Sequence, residues 1–413
     1  MALRLAGDLS ERAWAISQSI DEPAWAKRER RVGRLVTGGL GLPSPREEKW
    51  RRTDLSRLGL DLGQIEAPVP ALLEPVAITG DEHVALRLPT AVAADMPLCR
   101  AMCPLPEPDD LLEALHRALW SDGVLVDLPA GYESPEPLHI YLPPPRAHGS
   151  VFYILLLQAG PESRGTIIIE DEDGTADAPE GPRLSYTHVE LKAAAGAQVN
   201  VLVQHRRQGL AYDFMRLRAD LQSDSVLDFT SVPHAHPGVF RASVEAVLGG
   251  AGASARARFL YTAGEKSVYP THLDLGGTIW HQNAHTRSRL VMRGVLAGQA
   301  RAVLRGFSEV QKNAAGSEAY QHMQSLLLDG RARADSIPAL KIDENDVKAG
   351  HATAAGPLDR EQLFYLQSRG LDLATARRLM VAGFYAPALA DVPASVSVLA
   401  RRALGLIAEE AIA

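Results

Sequence analysis

The sequence of 413 residues contains only two cysteines, Cys99 and Cys103. Two thiols are too few for a disulfide framework, and too few to hold, without other proteins, a cluster that has four thiolate ligands. No second Cys or His pair lies near these two residues in the sequence, so we expect both thiols to be inert. A cluster with four thiolate ligands would therefore need cysteines from another protein.

Long apolar runs and blocks of basic residues are also missing. No segment approaches the ~20 apolar residues that span a bilayer, and residues 1–13 contain Arg, Asp and Glu where a signal peptide has its apolar region. The net charge is −7, and the basic residues are scattered instead of forming a patch that neutralises phosphates. We therefore expect a cytoplasmic protein that binds neither membranes nor nucleic acid.

Motifs for nucleotide hydrolysis and acyl transfer are absent as well. The sequence has no G-x-x-x-x-G-K-[ST], which excludes an ATPase of the P-loop type, and no G-x-S-x-G nucleophile motif. The glycine-rich residues 249–252 are followed by a pattern typical of a β-strand, whereas a dinucleotide site needs a helix there. The sequence therefore predicts that this chain is not an enzyme.

Local patterns divide the sequence into four segments. Residues 1–65 have apolar residues at three- and four-residue steps, which predicts an N-terminal helical domain. Residues 66–150 are mixed and lead into residues 151–345, where short alternating runs rich in Val, Leu, Ala and Thr predict many strands. Residues 346–413 form a C-terminal helical domain, with Asp359 and Asp372 as expected N-caps and Gly370 as the end of a helix.

The turns within residues 151–345 repeat. A turn-x-small-x-apolar pattern, with separations of 27, 29, 46 and 32 residues, begins at Gly196, Ser223, Gly252, Gly298 and Gly330. A turn at Gly276 and Gly277 would divide the longest interval into two. Such a period predicts stacked units whose short strands share one core, as in a parallel β-helix. A β-sandwich explains the strands but not the recurring turn.

Elements near both ends of the sequence carry a resemblance to a known family. Near the C-terminus, Asp346-Val347-Lys348-x-x-His351 precedes Phe364-Tyr365-Leu366-Gln367-Ser368-Arg369-Gly370. Matching residues upstream are Tyr320, Gln321, Ser325, Leu326, Leu327, Leu328, Ala332, Pro338, Leu340 and Ile342. The N-terminal element is Glu48-Lys49-Trp50-Arg51-Arg52-Thr53-Asp54-Leu55. These elements closely resemble the SufB/SufD family of iron–sulfur cluster assembly scaffolds, and the N-terminal one favours the SufD branch, since SufB generally lacks it.

The resemblance implies a mainly β protein: a right-handed parallel β-helix flanked by N-terminal and C-terminal α-helical domains. Right-handedness is also the strong preference of parallel crossovers. The resemblance implies that this chain pairs with SufB through the end of the β-helix and docks the ATPase SufC. The isolated chain is expected to be able to form a homodimer. A transient iron–sulfur cluster or iron would be shared with SufB, and the family suggests reduced flavin in the assembled complex.

His351 is the candidate ligand for that cluster or iron. It follows the last predicted strand at residues 340–342 and the acidic residues Asp343, Glu344 and Asp346. An accessible neutral imidazole is a good ligand for iron, and the resemblance implies that it completes a site with a Cys of SufB. Many relatives have Cys where this chain has Ala349, so sulfur ligands would come from the partner. A surface His paired with nearby carboxylates is the alternative.

Other candidate sites are less specific. The C-terminal helices carry more apolar surface than they can bury, which predicts an interface for SufC. Its residues would be Phe364, Tyr365, Leu366, Arg369, Leu379 and Phe384. His234 and His236 share one face if they lie on a strand and are weak metal candidates. His281 and His285 would be ~13 Å apart on a strand at about 3.3 Å per residue, so we expect structural roles for them.

Two rival functions use the same fold. A β-helix enzyme acting on carbohydrate needs paired carboxylates or basic residues along a strand face, whereas the acidic cluster here follows the predicted strands. A purely structural β-helix assembly protein without metal ligation differs from the main hypothesis only at His351.

Overall fold

The computed structural model describes residues 21–406 except positions 38–39, 67, 69–73, 82, 103–104, 106, 173–180, 207–208, 234–237, 265–270 and 391, together with Glu11 and Ala15. The helices are α1 (Ala24–Thr37), α2 (Leu88–Ala93), α3 (Pro97–Met102), α4 (Leu111–Leu119), α5 (Arg360–Ser368), α6 (Leu373–Leu389) and α7 (Ala394–Ala403). Short 3-10 turns lie at Glu48–Trp50 and Leu62–Gln64. None of the helices in these described ranges is long and apolar enough to cross a membrane.

Most of the chain consists of strands. They are β1 (Ala77–Thr79), β2 (Ala85–Arg87), β3 (Asp122–Leu128), β4 (Leu138–Tyr141), β5 (Ser150–Ala159), β6 (Arg164–Glu172), β7 (Arg183–Ala193), β8 (Gln198–Arg206), β9 (Ala211–Leu221), β10 (Val226–Pro233), β11 (Gly238–Leu248), β12 (Ser254–Ala263), β13 (Thr271–His281), β14 (Arg287–Leu296), β15 (Arg301–Val310), β16 (Ser317–Leu327), β17 (Arg333–Ile342) and β18 (Val347–Pro357).

The strands form two sheets in the described part of the chain. Sheet A has the order β1-β4-β6-β8-β10-β12-β14-β16-β18, and sheet B has the order β17-β15-β13-β11-β9-β7-β5-β3-β2. Strands β3 to β18 pair in parallel with one another and alternate between the sheets, so each coil contributes one strand to each sheet. The prediction of a mainly β chain with a parallel β-helix and helices at both ends is confirmed.

Interior side chains stack in columns because successive coils pair without a shift in register. Phe229, Ala257 and Leu290 are opposite one another on β10, β12 and β14, and all three are buried in the main core. Each coil alone has too little apolar surface for a core, whereas a stacked Leu or Phe side chain contributes about 1.5–3 kcal/mol by burial. The interior is therefore continuous along the β-helix.

One edge of the β-helix carries a ladder of left-handed residues, at the turns that lead from sheet B to sheet A. The residues with positive φ at this edge are Gly131, Glu162, Gly196, Asp224, Gly252, His285 and Gly316. Each donates its N–H to a carbonyl of the next turn, at 2.7–3.0 Å. These bonds satisfy turn amides that would otherwise be unpaired next to the interior.

Side chains and glycines alternate along this turn ladder. A Cβ on Gly252 would lie 2.2 Å from Oδ1 of Asp224, and one on Gly316 would lie 2.4 Å from Nδ1 of His285. A side chain in one coil therefore occupies the space over the glycine of the next coil. Glycine also tolerates the positive φ there without strain.

The expected turn at Gly276 and Gly277 is wrong. Both residues lie within β13, and a described turn of that interval is at residues 282–286. Gly277 is needed for packing instead, because a Cβ there would lie 2.6 Å from Leu290 Cδ1. The turns at Gly298 and Gly330 lead from sheet A to sheet B, whereas those at Gly196, Ser223 and Gly252 lead from sheet B to sheet A. The repeated sequence pattern therefore includes turns from both edges of the β-helix.

The C-terminal helices begin and end as their capping residues predict. The Asp359 carboxylate accepts the Glu361 and Gln362 amides at the start of α5, and the Asp372 carboxylate accepts the Thr375 amide in α6. The end of α6 and all of α7 pack on the outer face of sheet A, where Tyr385 is fully buried. These helices thus cover the outer face of sheet A, and β18 remains the edge strand of that sheet.

Candidate functional site

The β-helix ends in a coil formed by β17 and β18, which we call the open end. Each is the last strand of its sheet and pairs on one side only within the described residues. Most of their residues are half-buried or exposed, and Ile342 is 42% exposed. The open end therefore presents unpaired strand edges together with interior side chains that no described segment covers.

His351 lies within β18, so the prediction that it follows the last strand is wrong. The acidic residues form a turn between β17 and β18, where Asp343 N–H donates to Val310 O at 2.8 Å. Small residues on both sides of His351 then pair in parallel with β16. The sequence suggested a loop because this strand is rich in Ala and Gly, which have low β-propensity.

The register places His351 on the interior face of the terminal coil. Its partner on β16 is Gln321, which continues the column of Phe229, Ala257 and Leu290. Because these three residues face the core, the alternation of a strand puts His351 above the core as well. His351 is nevertheless exposed, since no further coil follows it.

The interior becomes polar directly beneath His351. Gln321 is fully buried, and its Nε2 donates to Ser308 Oγ at 2.9 Å and to Ala339 O at 3.1 Å. Its Oε1 is buried and has no hydrogen-bond partner. This interior column thus changes from apolar residues to a group that can hydrogen-bond in the coil next to His351.

The expected carboxylate neighbours of His351 lie elsewhere. Asp346 is five strand residues away, roughly 16 Å at about 3.3 Å per residue. Asp343 instead lies 3.5 Å from Lys341 Nζ. Within the described ranges, no carboxylate bonds to His351 and no group of three His, Cys, Asp or Glu side chains is placed to hold a metal ion.

This chain supplies no thiolate beside His351. Ala349 is on the same face of β18, about 7 Å from His351 along the strand. Cys99 is buried in α3, where burial raises the pKa of its thiol to about 11, and such a thiol is a poor ligand. Cys103 lies outside the described residues. The requirement for sulfur ligands from a second protein stays a prediction.

The other histidine candidates differ in what the structure describes. His234 and His236 lie outside the described residues. His281 is buried and hydrogen-bonds Thr286 Oγ1 and Ser288 Oγ, both at 2.8 Å, and burial lowers its pKa to about 4. His285 has positive φ in the turn ladder. His281 and His285 therefore have structural positions in the fold.

The candidate SufC-binding residues on α5 are accessible. Phe364 is 72% exposed, Tyr365 is 56% exposed, and the guanidinium of Arg369 lies 5.0 Å from the centre of the Tyr365 ring. Leu366 is half-buried, and no residue of α5 is fully buried. The helix therefore has an apolar surface that the β-helix does not cover.

The two candidates on α6 have different surroundings. Leu379 is 53% exposed, whereas Phe384 is half-buried beside the cluster that attaches α6 to sheet A. Arg293 donates to Phe384 O at 2.8 Å, and its guanidinium lies 5.0 Å from the Phe384 ring centre. Phe384 therefore contributes to the attachment of α6, while Leu379 is exposed on the same helix.

The role of the N-terminal element was missed by the sequence analysis. Trp50 is buried against the outer face of sheet B, with Arg241 3.9 Å from its ring centre. Thr53 Oγ1 donates to Asp274 Oδ2 at 2.5 Å. Burial alone would raise the pKa of Asp274, but Arg241, Arg305 and this hydrogen bond hold it below its usual value. The partners are some 220 residues apart, and no local pattern reports such pairs.

Comparisons with known proteins identify a matching family and several relatives. The family model described as SUF system FeS cluster assembly, SufBD core domain, matches residues 145–384, more than half of the chain. A SufBD family protein of Mycobacterium bovis is 30% identical over 264 residues, covering 55% of this chain and 65% of the relative. A chloroplastic SufBD family protein of Arabidopsis thaliana is 26% identical over 295 residues, covering 68% and 50%. The SufD protein of Bacillus subtilis is 36% identical over 115 residues, covering 28% and 26%.

The chain spans less than two thirds of the length of each of these three relatives. The fold defines a parallel β-helix protein with terminal helices and one uncovered end. With the match to the core domain, the chain belongs to the SufBD family of the SUF iron–sulfur cluster assembly system.

Proposed function

We propose that this chain is a SufD-type scaffold subunit that pairs with SufB at the open end, docks SufC on α5 and the first half of α6, and works in the cytoplasm without enzyme activity of its own. The open end carries this proposal, because an exposed interior and two unpaired strand edges need a partner. The N-terminal element favours SufD over SufB. Reduced flavin in the assembled complex stays a prediction.

Pairing at the open end can be tested with charge substitutions on β18. Val347 lies on the interior face, where Val347→Glu would place a carboxylate between the two joined ends. We expect SufB to be lost from the purified complex, and the isolated chain to become monomeric if it forms a homodimer through the same edge. Lys348→Glu is the matched control, because Lys348 is 73% exposed on the opposite face. Full recovery of SufB with Val347→Glu would contradict the pairing.

The docking of SufC is supported by the exposed aromatic surface of α5. Aromatic and Arg side chains dominate the energetics of interfaces, and Tyr365 and Arg369 are stacked here without burial. Replacing both with Ala should reduce SufC recovered in a pull-down at least tenfold. Val398→Ala is the control, since Val398 is an exposed apolar residue on α7. Equal recovery with all three proteins would refute this surface.

We further propose that His351 contributes a nitrogen ligand to a transient cluster or iron, with the sulfur ligands from SufB. Support comes from an accessible imidazole on the interior face of the open end, where a paired subunit would lie beside it. His351→Ala should keep SufB in the complex but lower the cluster absorbance and iron content. Thr353→Ala, two residues further on the same face, should leave both unchanged.

A purely structural scaffold is the second candidate function. It is favoured by one observation, that among the described residues no group of three His, Cys, Asp or Glu side chains is placed to hold a metal ion. If the His351→Ala complex has the cluster absorbance and iron content of the parent, the structural role replaces the ligand role.

A further inference from the structure

A cavity of about 490 Å³ lies on the outer face of sheet B, beside the N-terminal element. Strands β11, β13, β15 and β17 form its floor, and the start of α4 contributes to its walls. Its lining combines aromatic rings with carboxylates, among them Trp50, Phe214, Phe307, Asp110, Glu113 and Glu245. The cavity therefore offers both apolar contact and charge to a ligand.

The register of sheet B explains why the floor is open. Ser243 of β11 is opposite Gly276 of β13, and Thr278 of β13 is opposite Phe307 of β15. Gly276 and Thr278 point outward, because the residues on either side of them alternate into the core of the β-helix. Small residues at neighbouring outward positions thus leave a depression in the sheet beside Phe307.

Gly276 keeps this depression open although packing does not require a glycine there. A Cβ on Gly276 would lie 3.6 Å from Ser243 Cβ and 3.9 Å from Ala242 O, which are ordinary contact distances. Gly276 is also not among the residues with positive φ. Since glycine weakens the interior of a strand, a larger residue would fit here at no cost to the fold. The missing side chain is therefore space that a ligand can occupy.

One side of the cavity has more carboxylates than cations. Arg216 Nη1 lies 3.2 Å from Glu113 Oε1 and Arg216 Nη2 lies 2.8 Å from Glu245 Oε2, so one guanidinium serves two carboxylates. Asp110 lies 3.3 Å from Lys49 Nζ. Burial, with the carboxylate of Asp110 nearby, raises the pKa of Glu113 in spite of Arg216. These three carboxylates thus share two cations, in a partly desolvated place where charges interact more strongly than in water.

The other two guanidiniums of the lining are engaged elsewhere. Arg241 and Arg305 both pair with the buried carboxylate of Asp274, at 2.7 and 3.1 Å. They also donate to the backbone carbonyls of Lys49 and Glu48, at 2.9 and 3.5 Å. These two side chains therefore attach the N-terminal element to sheet B, and the carboxylates at the other side of the cavity keep their deficit of positive charge.

We propose that this cavity binds an aromatic amine, with its ring over Gly276 and its ammonium group next to Glu113 and Glu245. The volume lies within the roughly 300–1,000 Å³ of sites for small organic ligands. Trp50 and Phe307 offer faces and edges to a flat ring, and aromatic rings also attract an ammonium group. The ammonium group adds the cation that the carboxylates lack. The proposal is independent of the assignment of the open end.

The test measures binding of two indole compounds to the full chain by calorimetry at pH 7 and constant ionic strength. Tryptamine carries an ammonium group, and indole-3-propionate has the same ring and chain length but ends in a carboxylate. Tryptamine should bind saturably to one site, and indole-3-propionate at least tenfold more weakly. Spermidine, a cation without a ring, should also bind at least tenfold more weakly than tryptamine.

Gly276→Val fills the depression and should weaken tryptamine binding at least tenfold. Gly356→Val on β18 is the matched control, because the added Cβ meets no atom within 4 Å and Gly356 does not line the cavity. It should change the affinity less than twofold. Circular dichroism should show that both variants fold.

Glu245→Gln should weaken tryptamine binding about tenfold, because it removes one charge-assisted hydrogen bond. Glu309→Gln is its control, since Glu309 of β15 pairs with Lys341 at 2.8 Å and does not line the cavity. The proposal is overturned if tryptamine does not bind, if indole-3-propionate or spermidine binds as tightly, or if Gly276→Val and Glu245→Gln behave like their controls.

Discussion

The two ends of the β-helix are closed in different ways. At the first coil, the short strands β1 and β2 pair antiparallel with β4 and β3 and end the two sheets. Asp122 holds this region together by accepting the Val76 amide at 3.0 Å and Arg87 Nη2 at 2.5 Å. At the last coil, β17 and β18 run for ten and eleven residues with no described strand beyond them.

This contrast shows that the chain closes one end of its core with its own residues, whereas no described segment covers the other end. A long unpaired edge is a site for association with another strand, whereas an edge of three residues is not. Because the two ends differ in burial, the same substitution should change the free energy of unfolding by different amounts at the first and the last coil.

The largest expected difference concerns isoleucine. Ile140 of β4 is fully buried, so Ile140→Ala should lower the free energy of unfolding by about 2–5 kcal/mol. Ile342 of β17 is 42% exposed, and Ile342→Ala should cost less than about 1 kcal/mol in the isolated chain. Urea denaturation measures both values. Equal losses would mean that the open end is covered in the isolated chain as well.

Acid should weaken the first coils through His116. Burial, with His188 nearby, lowers the pKa of His116 to about 3, whereas its ordinary value is 6.5. The unfolded chain therefore binds a proton that the folded chain does not, and stability falls as the pH drops below about 6.5. Between pH 7 and pH 5 this group alone should cost about 2 kcal/mol.

The measurement for His116 is urea denaturation at both pH values. His116→Gln removes the titrating group, so its unfolding free energy should change with pH by about 2 kcal/mol less than that of the parent. The same pH dependence in both proteins would contradict a neutral, buried His116.

A smaller effect is expected for glycine in the turns. Gly252 has a φ of +74° and lies against Asp224, so Gly252→Ala should destabilise the chain by about 1–2 kcal/mol. Gly330, in the turn before β17, has no atom within 4 Å of its added Cβ, and Gly330→Ala should be nearly neutral. The midpoint temperatures of thermal unfolding of the two variants should be compared. Gly252 lies in the turn ladder, and Gly330 lies at the opposite edge of the β-helix, in the turn before β17. A larger loss for Gly330→Ala would reverse this assignment.

The smallest effect is expected on α5. Phe364 is 72% exposed, so Phe364→Ala should change the free energy of unfolding by less than about 0.5 kcal/mol. Chemical denaturation of the isolated chain checks this value. A loss above about 1 kcal/mol would show that α5 packs on the chain itself and is unsuitable as a free docking surface.

Local signals predicted local structure well. Asp359 and Asp372 act as caps as expected, because an N-cap is recognised from a few neighbouring residues. The turn period predicted stacking, but the two edges of a β-helix use the same small residues, so the sequence does not tell them apart. Gly277 was mistaken for a turn because its function, space for Leu290, depends on the next coil.

The site was predicted less completely than the fold. His351 was selected from its motif, yet its strand, its interior face and its separation from Asp346 depend on pairing with β16. The attachment of Trp50 and Thr53 to sheet B joins residues far apart in sequence. Such contacts follow from the register of the coils, which the sequence alone does not determine.

In the turn ladder, a residue with a side chain in one coil is followed by a glycine in the next coil, so the pattern repeats every two coils. If one coil between Gly196 and Asp224 were deleted, Asp224 would stack directly on Glu162, and two side chains would compete for one space. Removing two coils would place Gly252 over Glu162 and restore the order of the ladder. Deletions and insertions of coil pairs should therefore be tolerated better than those of single coils. The length of the β-helix is thus adjustable in steps of two coils.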